Sequence, residues 1–177
     1  MKSKLDKISE ELENSNSIEE FFDKIAVTAR IQTDIHSIIV YDSDGKLIET
    51  ASDGLELKQD VYKNLSFDKN MFENTEDYVI TSPHVQTIFK NSYPWVVTIA
   101  KKEADALFGK IKYIAIDFRF SEIAKYIDNI GMGRHGYCFI IDKEGDIVYH
   151  PQQQLIFVGI KNEETKNLVN YKDGINY

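Results

Sequence analysis

Residues 93–119 read Y-P-W-V-V-T-I-A-K-K-E-A-D-A-L-F-G-K-I-K-Y-I-A-I-D-F-R, two β-rich runs joined by a polar connector that contains Gly109. Runs so arranged form antiparallel neighbours in one sheet. Side chains alternate along a strand, so Ile114, Ile116 and Phe118 share one face of the second run, while Tyr113, Ala115, Asp117 and Arg119 share the other. The first face is apolar. The second carries a phenol, a gap left by a small residue, a carboxylate and a guanidinium, and a face of that kind suits a pocket for a small polar molecule.

Working outward, Y-V-I-T-S-P-H-V-Q-T-I-F (78–89) leads into the first run. Pro83 suits the first position of a short helix, with Ser82 as its cap. Residues 53–80 are polar and mixed, with short helices expected over 57–65 and 69–74. Before them, H-S-I-I-V-Y-D-S-D-G-K-L-I-E-T (36–50) predicts strand, turn and strand, with Gly45 taking a left-handed conformation. Residues 4–33 carry helical stripes, first Leu5, Ile8 and Leu12, then Ile18, Phe21, Phe22, Ile25, Ala26 and Ala29. Asn14-Ser-Asn-Ser interrupts them, and Ser17 with Glu20 has the spacing of a capping box. The Leu5–Ile8–Leu12 stripe is the natural seam for a homodimer.

On the other side, 121–130 predicts a short amphipathic helix, and G-M-G-R-H-G (131–136) then breaks the chain. Beyond the break, C-F-I-I-D-K-E-G-D-I-V-Y-H (138–150) aligns with I-I-V-Y-D-S-D-G-K-L-I-E-T (38–50), setting Asp142 against Asp42 and Gly145 against Gly45. A repeated hairpin indicates two copies of one supersecondary plan. The second copy is cut short, with one helix expected at 163–170 and a turn at Asp173-Gly174. Three segments follow: 1–34 helical, 35–130 a complete module, and 131–177 a partial second one.

The chain has 177 residues, 42% hydrophobic and 12% aromatic with three prolines, which suits a real core rather than disorder. Twenty-nine acidic residues against 21 basic ones give a net charge of −8, which disfavours nucleic acid or an anionic membrane surface as partner. No run approaches the roughly 18–20 apolar residues of a membrane span, and Met1-Lys-Ser-Lys lacks the apolar core of a signal peptide. A free soluble protein or a soluble piece of a larger one is expected. Cys138 is the single cysteine, so no internal disulfide forms, and it reads as an inert core thiol.

Other constellations favour plain structural roles. The acidic run Asp42–Asp44 suits a turn rather than a calcium loop, which spreads its ligands over about 12 residues between helices. His135 and His150 bracket the second hairpin but lack a third ligand at suitable spacing, so no metal is expected. No nucleophile elbow, zinc-protease helix or phosphate-cradling loop is present. Neither catalysis nor a cofactor is expected.

The segments S-P-H-V-Q-T-I-F (82–89), W-V-V-T-I-A (95–100), I-A-I-D (114–117) and G-R-H-G-Y-C-F-I-I-D-K-E-G-D-I-V-Y-H-P-Q-Q-Q-L-I (133–156) resemble the extracytoplasmic sensor region of membrane-bound bacterial histidine kinases. The likeness is to double-Cache regions, two PAS-like modules on a long N-terminal helix, and within these to kinases paired with AraC-type response regulators. The resemblance implies an α+β fold, an antiparallel sheet with a long N-terminal helix and flanking helices. It also implies a membrane-anchored parent whose kinase domains lie outside this chain, and a dimer that passes ligand binding through the N-terminal helix. In that family the short helix bearing Ser82 and His84 walls the pocket. An amino-acid-binding subset carries Arg-x-Trp-Tyr before the second-last strand and an Asp ending the last. Trp95 and Asp117 match, whereas Tyr93 stands at the Arg position and Val96 at the Tyr. Losing the Arg removes a bidentate clamp for an α-carboxylate, so a neutral solute such as a sugar is the expected ligand, held by Tyr93, Trp95, Tyr113, Asp117, Ser82 and His84. Two alternative readings are a ligand-free dimerisation spacer answering a partner protein, and the sensor of a chemoreceptor or cyclic-dinucleotide enzyme.

Overall fold

Ser17 starts the helix that supports the sheet. Its hydroxyl accepts the Glu20 amide at 3.1 Å, and Glu20 reaches back to the Asn16 amide at 2.9 Å. Glu20 is also held by Lys24, and this hydrogen bond first, with those from Asn16, lowers its carboxyl to about 2. The interrupted stripe thus gives two helices, α1 (Lys2–Glu13) and α2 (Ile18–Ile31). The computed structural model describes residues 1–72, 77–128, 137–141, 145–159 and 165.

Five strands follow in one antiparallel path: β1 (Ile35–Tyr41), β2 (Leu47–Ser52), β3 (Tyr78–Ile80), β5 (Trp95–Leu107) and β6 (Ile111–Arg119), ordered β2-β1-β6-β5-β3. The two-residue β4 (His84–Val85) also pairs with β5. Strand β5 runs through most of the expected polar connector, as far as Leu107, and the turn is made by Phe108 and Gly109, both at positive φ. Two such residues in succession match the right-handed twist of a hairpin. At the first hairpin the Asp42 carboxylate accepts the amides of Asp44 and Lys46, and Gly45 takes φ +79°. A Cβ on Gly45 would lie 2.7 Å from the Phe67 carbonyl oxygen, so glycine is required twice over.

The apolar face of β6 receives the helices. Leu5, Ile8, Phe21, Ile25 and Ala29 are buried with Ile38, Ile99, Ile114, Ile116 and Phe118. Leu5 and Ile8 therefore serve the chain's own core, which corrects their reading as a dimer seam. Helix α1 is also held by a buried polar clasp, in which the Ser9 hydroxyl bonds Glu103 while Lys101 reaches both.

The opposite face is covered by Leu55, Leu57, Val61, Phe67 and Phe72 from before β3 and by Ile88 and Phe89 from after it. Leu57 bridges Phe89, and the Lys58 amide bonds the Ile88 carbonyl, so two loop segments lace together above the sheet. The helix expected over 57–65 is shorter, α3 being Val61–Asn64; of the one expected over 69–74, the described residues Lys69–Phe72 form a 3-10 turn. The helix expected at Ser82–Pro83 is instead β4, because His84 pairs with Val96 and the Gln86 amide reaches the Pro94 carbonyl. Pro83 needs no amide partner at that strand edge.

The chain divides into two compact units, Met1–Phe120 and Ser121–Tyr177. The second holds α4 (Phe120–Asp128, whose first residue closes the other unit), the hairpin β7 (Ile140–Ile141) and β8 (Ile147–Tyr149), and α5 (Gln153–Phe157). Gly145 takes φ +87°, close to its counterpart Gly45. The expected break at 131–136, His135, Asp142, the helix at 163–170 and the turn at Asp173-Gly174 lie outside the described residues. Cys138 is half-buried, and the His150 Nδ1 accepts the Gln152 amide at 2.9 Å. Among the described residues no group of three or more His, Cys, Asp or Glu is placed to hold a metal. No described helix is long and apolar enough to cross a membrane.

Candidate functional site

Register decides which side chains meet. Strand β5 sets Thr98 opposite Asp117 and Val96 opposite Arg119, and β1 sets Ser37 opposite Asp117 from the other side. These residues share the face of Ile39, Ala100 and Ala115. Asp117 is 1% exposed, and its carboxylate accepts the Ser37 hydroxyl at 2.7 Å, the Thr98 hydroxyl and the Gln86 amide nitrogen. Gln86 in turn accepts the amides of Thr87 at 2.8 Å and Ile88 at 3.2 Å. One buried carboxylate therefore gathers two neighbouring strands and the loop above them.

His84 joins through the same hydroxyl, with Nε2 3.4 Å from Thr98 Oγ1. Its Nδ1 lies 3.1 Å from the Ser82 carbonyl, so the backbone of Ser82 orients the ring while its side chain is exposed. Arg119 is half-buried on the same face, two residues from Asp117, a spacing of about 7 Å along a strand. It forms no salt bridge with a described carboxylate.

His36 was not singled out by sequence. Between Ile35 and Ser37 the pairing of β1 with β6 slips: Ile35 faces Phe118 while Ser37 faces Asp117, so His36 is an extra, bulged residue. The bulge turns its ring onto the Asp117 face, edge-on to Phe89 at 5.4 Å. His36 is fully buried, and neither ring nitrogen has a hydrogen-bond partner. Burial, then the nearby Arg119 charge, lowers its pKa below the usual histidine range against a smaller opposing pull from Asp117. The imidazole is neutral at pH 7.

The other expected residues lie elsewhere. Trp95 belongs by register to the face of Val97 and Ile99, opposite to Thr98 and Asp117, because it stands an odd number of residues from Thr98. Tyr93 is 58% exposed, with the Lys58 ammonium 4.9 Å from its ring centroid. Tyr113 does share the Asp117 face, but its ring is buried against Phe67 at 5.6 Å and Phe72 at 5.4 Å. An open hollow of about 320 Å³ lies between the two hairpin turns, lined by Asp42, Ser43, Asp44, Ile48, Gly109 and Lys110. Of its two carboxylates, Asp42 is committed to the turn.

Comparison with known proteins bears on this arrangement. A family model described as a Cache domain matches residues 1–176. The methyl-accepting chemotaxis protein McpA of Bacillus subtilis is 25% identical over 83% of this chain, which spans 21% of that protein. The ligand-binding domain of the Pseudomonas fluorescens chemoreceptor CtaA, solved with L-leucine, superposes with a TM-score of 0.61 at 15% identity, covering 87% of this chain and 63% of its own. The extracellular domain of the putative histidine kinase vpHK1S-Z8 gives 0.53 at 12% identity, covering 95% and 69%.

Proposed function

From the premise that this chain belongs to the Cache domain family, we propose that it is the extracytoplasmic sensing module of a membrane-anchored receptor, and that its ligand is a small zwitterion of the amino-acid class. The observation that carries this reading is the pairing of Asp117 and Arg119 on one sheltered face. A buried carboxylate with its own donors suits an ammonium group, and a guanidinium without an ion-pair partner suits a carboxylate. Arg119 supplies the cation that the sequence pattern around Trp95 lacked. The sugar expectation follows from the missing Arg clamp and from a site that includes Trp95; Arg119 answers the first, and Trp95 stands on the other face. Structural neighbours solved with L-leucine, L-serine and GABA favour the zwitterion.

Signal output follows from what the strands connect. Thr98 holds Asp117, and Lys101 and Glu103, farther along β5, hold Ser9 of α1. A ligand that binds one position of β5 better than another shifts α1 with it. The parent carries either a kinase or a chemotaxis output. The resemblance of residues 133–156 favours the kinase, and the coverage by McpA favours chemotaxis.

The test is a melting-shift panel of the twenty amino acids, GABA and common sugars. A ligand at a hundredfold excess over its Kd stabilises by about 2.7 kcal/mol, or roughly 5–10 °C in a domain of this size. Asp117→Asn and Arg119→Gln should abolish that shift while the far-ultraviolet circular dichroism stays native. Stabilisation by sugars alone, or an unchanged response in Asp117→Asn, overturns the reading.

A further inference from the structure

We propose that His36 contacts the ligand and sets its specificity, selecting amino acids whose side chain carries a hydroxyl or carboxamide. This rests on the zwitterion reading of the Asp117–Arg119 face. The ring is fully enclosed on that face, and neither nitrogen is bonded within the fold. Buried polar groups are almost always satisfied, and a phenylalanine or leucine would pack against Phe89 without two stranded nitrogens. The bulge in β1 brings the ring to this face beside Ser37, whose hydroxyl holds Asp117. The fold therefore positions an imidazole where it has no internal task.

A neutral imidazole presents one donor and one acceptor. A hydroxyl or carboxamide answers both, whereas an aliphatic side chain leaves both unanswered. The asymmetry is large in general: a site built to bond a ligand hydroxyl rejects the analogue lacking it far more strongly than an apolar pocket discriminates by size. Lowering of the His36 pKa by burial keeps the ring in this two-handed form at neutral pH.

The experiment compares Kd values by calorimetry for L-serine, L-threonine, L-asparagine and L-glutamine against L-alanine, L-valine and L-leucine. Wild type should favour the polar set by at least roughly tenfold, of the order expected when a buried donor or acceptor is left unanswered. His36→Leu should weaken the polar set and leave or improve the aliphatic set, so that the ranking inverts. His36→Asn, which keeps a donor and an acceptor, should retain the polar preference and guards against a variant that fails to fold. An unchanged ranking in His36→Leu, with binding still lost in Asp117→Asn, overturns the role of His36 and leaves the site standing. An aliphatic preference in wild type overturns it equally. If no amino acid binds wild type, the zwitterion reading fails and this inference goes with it.

Discussion

The two ends of one face of β6 have opposite characters. At the Tyr113 end, Phe67 and Phe72 close over the sheet, Tyr41 of β1 packs on Phe67, and the Tyr113 ring is one member of this aromatic cluster. At the Asp117 end, the same sheet and the same covering loop enclose a carboxylate with three donors, a half-buried guanidinium and an unbonded imidazole. Tyr113 at one end and Asp117 and His36 at the other are all buried, so burial of these side chains does not distinguish the ends. The difference lies in whether the buried atoms satisfy one another. Dispersion and transfer from water stabilise the first end, whereas the second carries polar groups whose desolvation is only partly compensated.

The sharpest way to break this contrast is at the aromatic end. Tyr113→Ala should cost about 3–5 kcal/mol, the range for emptying a large aromatic site in a core, and should lower Tm by roughly 10 °C. The remaining folded protein should bind ligand with unchanged Kd, measured by titration well below the new Tm. Loss of binding at constant fold would make Tyr113 part of the site after all. Asp117→Asn should show the reverse pattern. Its stability loss should stay nearer about 1–2 kcal/mol, because the amide keeps one acceptor for the Ser37, Thr98 and Gln86 donors, while binding falls at least roughly a hundredfold by losing a buried charge partner.

Gly45 tests the cover rather than the face. Its carbonyl accepts the Phe67 amide at 2.7 Å, which holds the aromatic loop on the first hairpin. Gly45→Ala meets both the positive φ and the 2.7 Å approach, so a loss of about 1–3 kcal/mol is expected, read as a lower denaturation midpoint with unchanged slope. The second hairpin offers a parallel: the Gly145 carbonyl accepts the Thr165 hydroxyl at 2.6 Å, twenty residues on, much as Gly45 is met by Phe67.

What could be read in the chain follows from range. The alternation in 111–119 and the Asx turn at Asp42 are local, so strand β6, its two faces and the first hairpin were legible. The sheet order, and the assignment of Leu5 and Ile8 to the chain's own core, depend on which surfaces meet, and an amphipathic stripe looks alike whether it packs inward or on a second copy. That Asp117 shares a face with Tyr113 and Ala115 was legible from alternation. His36 was not, because period-2 reasoning through H-S-I-I-V-Y places His36 and Ser37 on opposite faces, and only the slipped register with β6 puts both beside Asp117. Which face of β5 meets Asp117 depends on the register with β6, and that register, setting Thr98 opposite Asp117, puts Trp95 on the other face. Gln86 lies within S-P-H-V-Q-T-I-F (82–89), but a glutamine that bridges a loop to a distant strand leaves no local signal.

The smallest expected effect distinguishes the two ends most finely, because it titrates only one of them. The folded-state pKa of His36 lies below its unfolded value of about 6.5, so at pH 7.5 both states hold it neutral and it contributes no pH dependence. As pH falls through about 6.5, the unfolded chain takes up a proton that the folded chain refuses, and stability drops by at most about 1.4 kcal/mol per pH unit. The Asp117 charge opposes this and the Arg119 charge reinforces it. Denaturant unfolding of wild type and His36→Leu at pH 7.5 and 5.5 isolates the term, since the other titrating groups cancel in the difference. The variant should lose less stability on acidification than wild type, and equal losses would place the proton elsewhere. A ligand that occupies the imidazole should also bind undiminished down to the lowered folded-state pKa rather than weakening at 6.5, because the proton that would disrupt the contact is kept out by the same burial that leaves the ring unsatisfied.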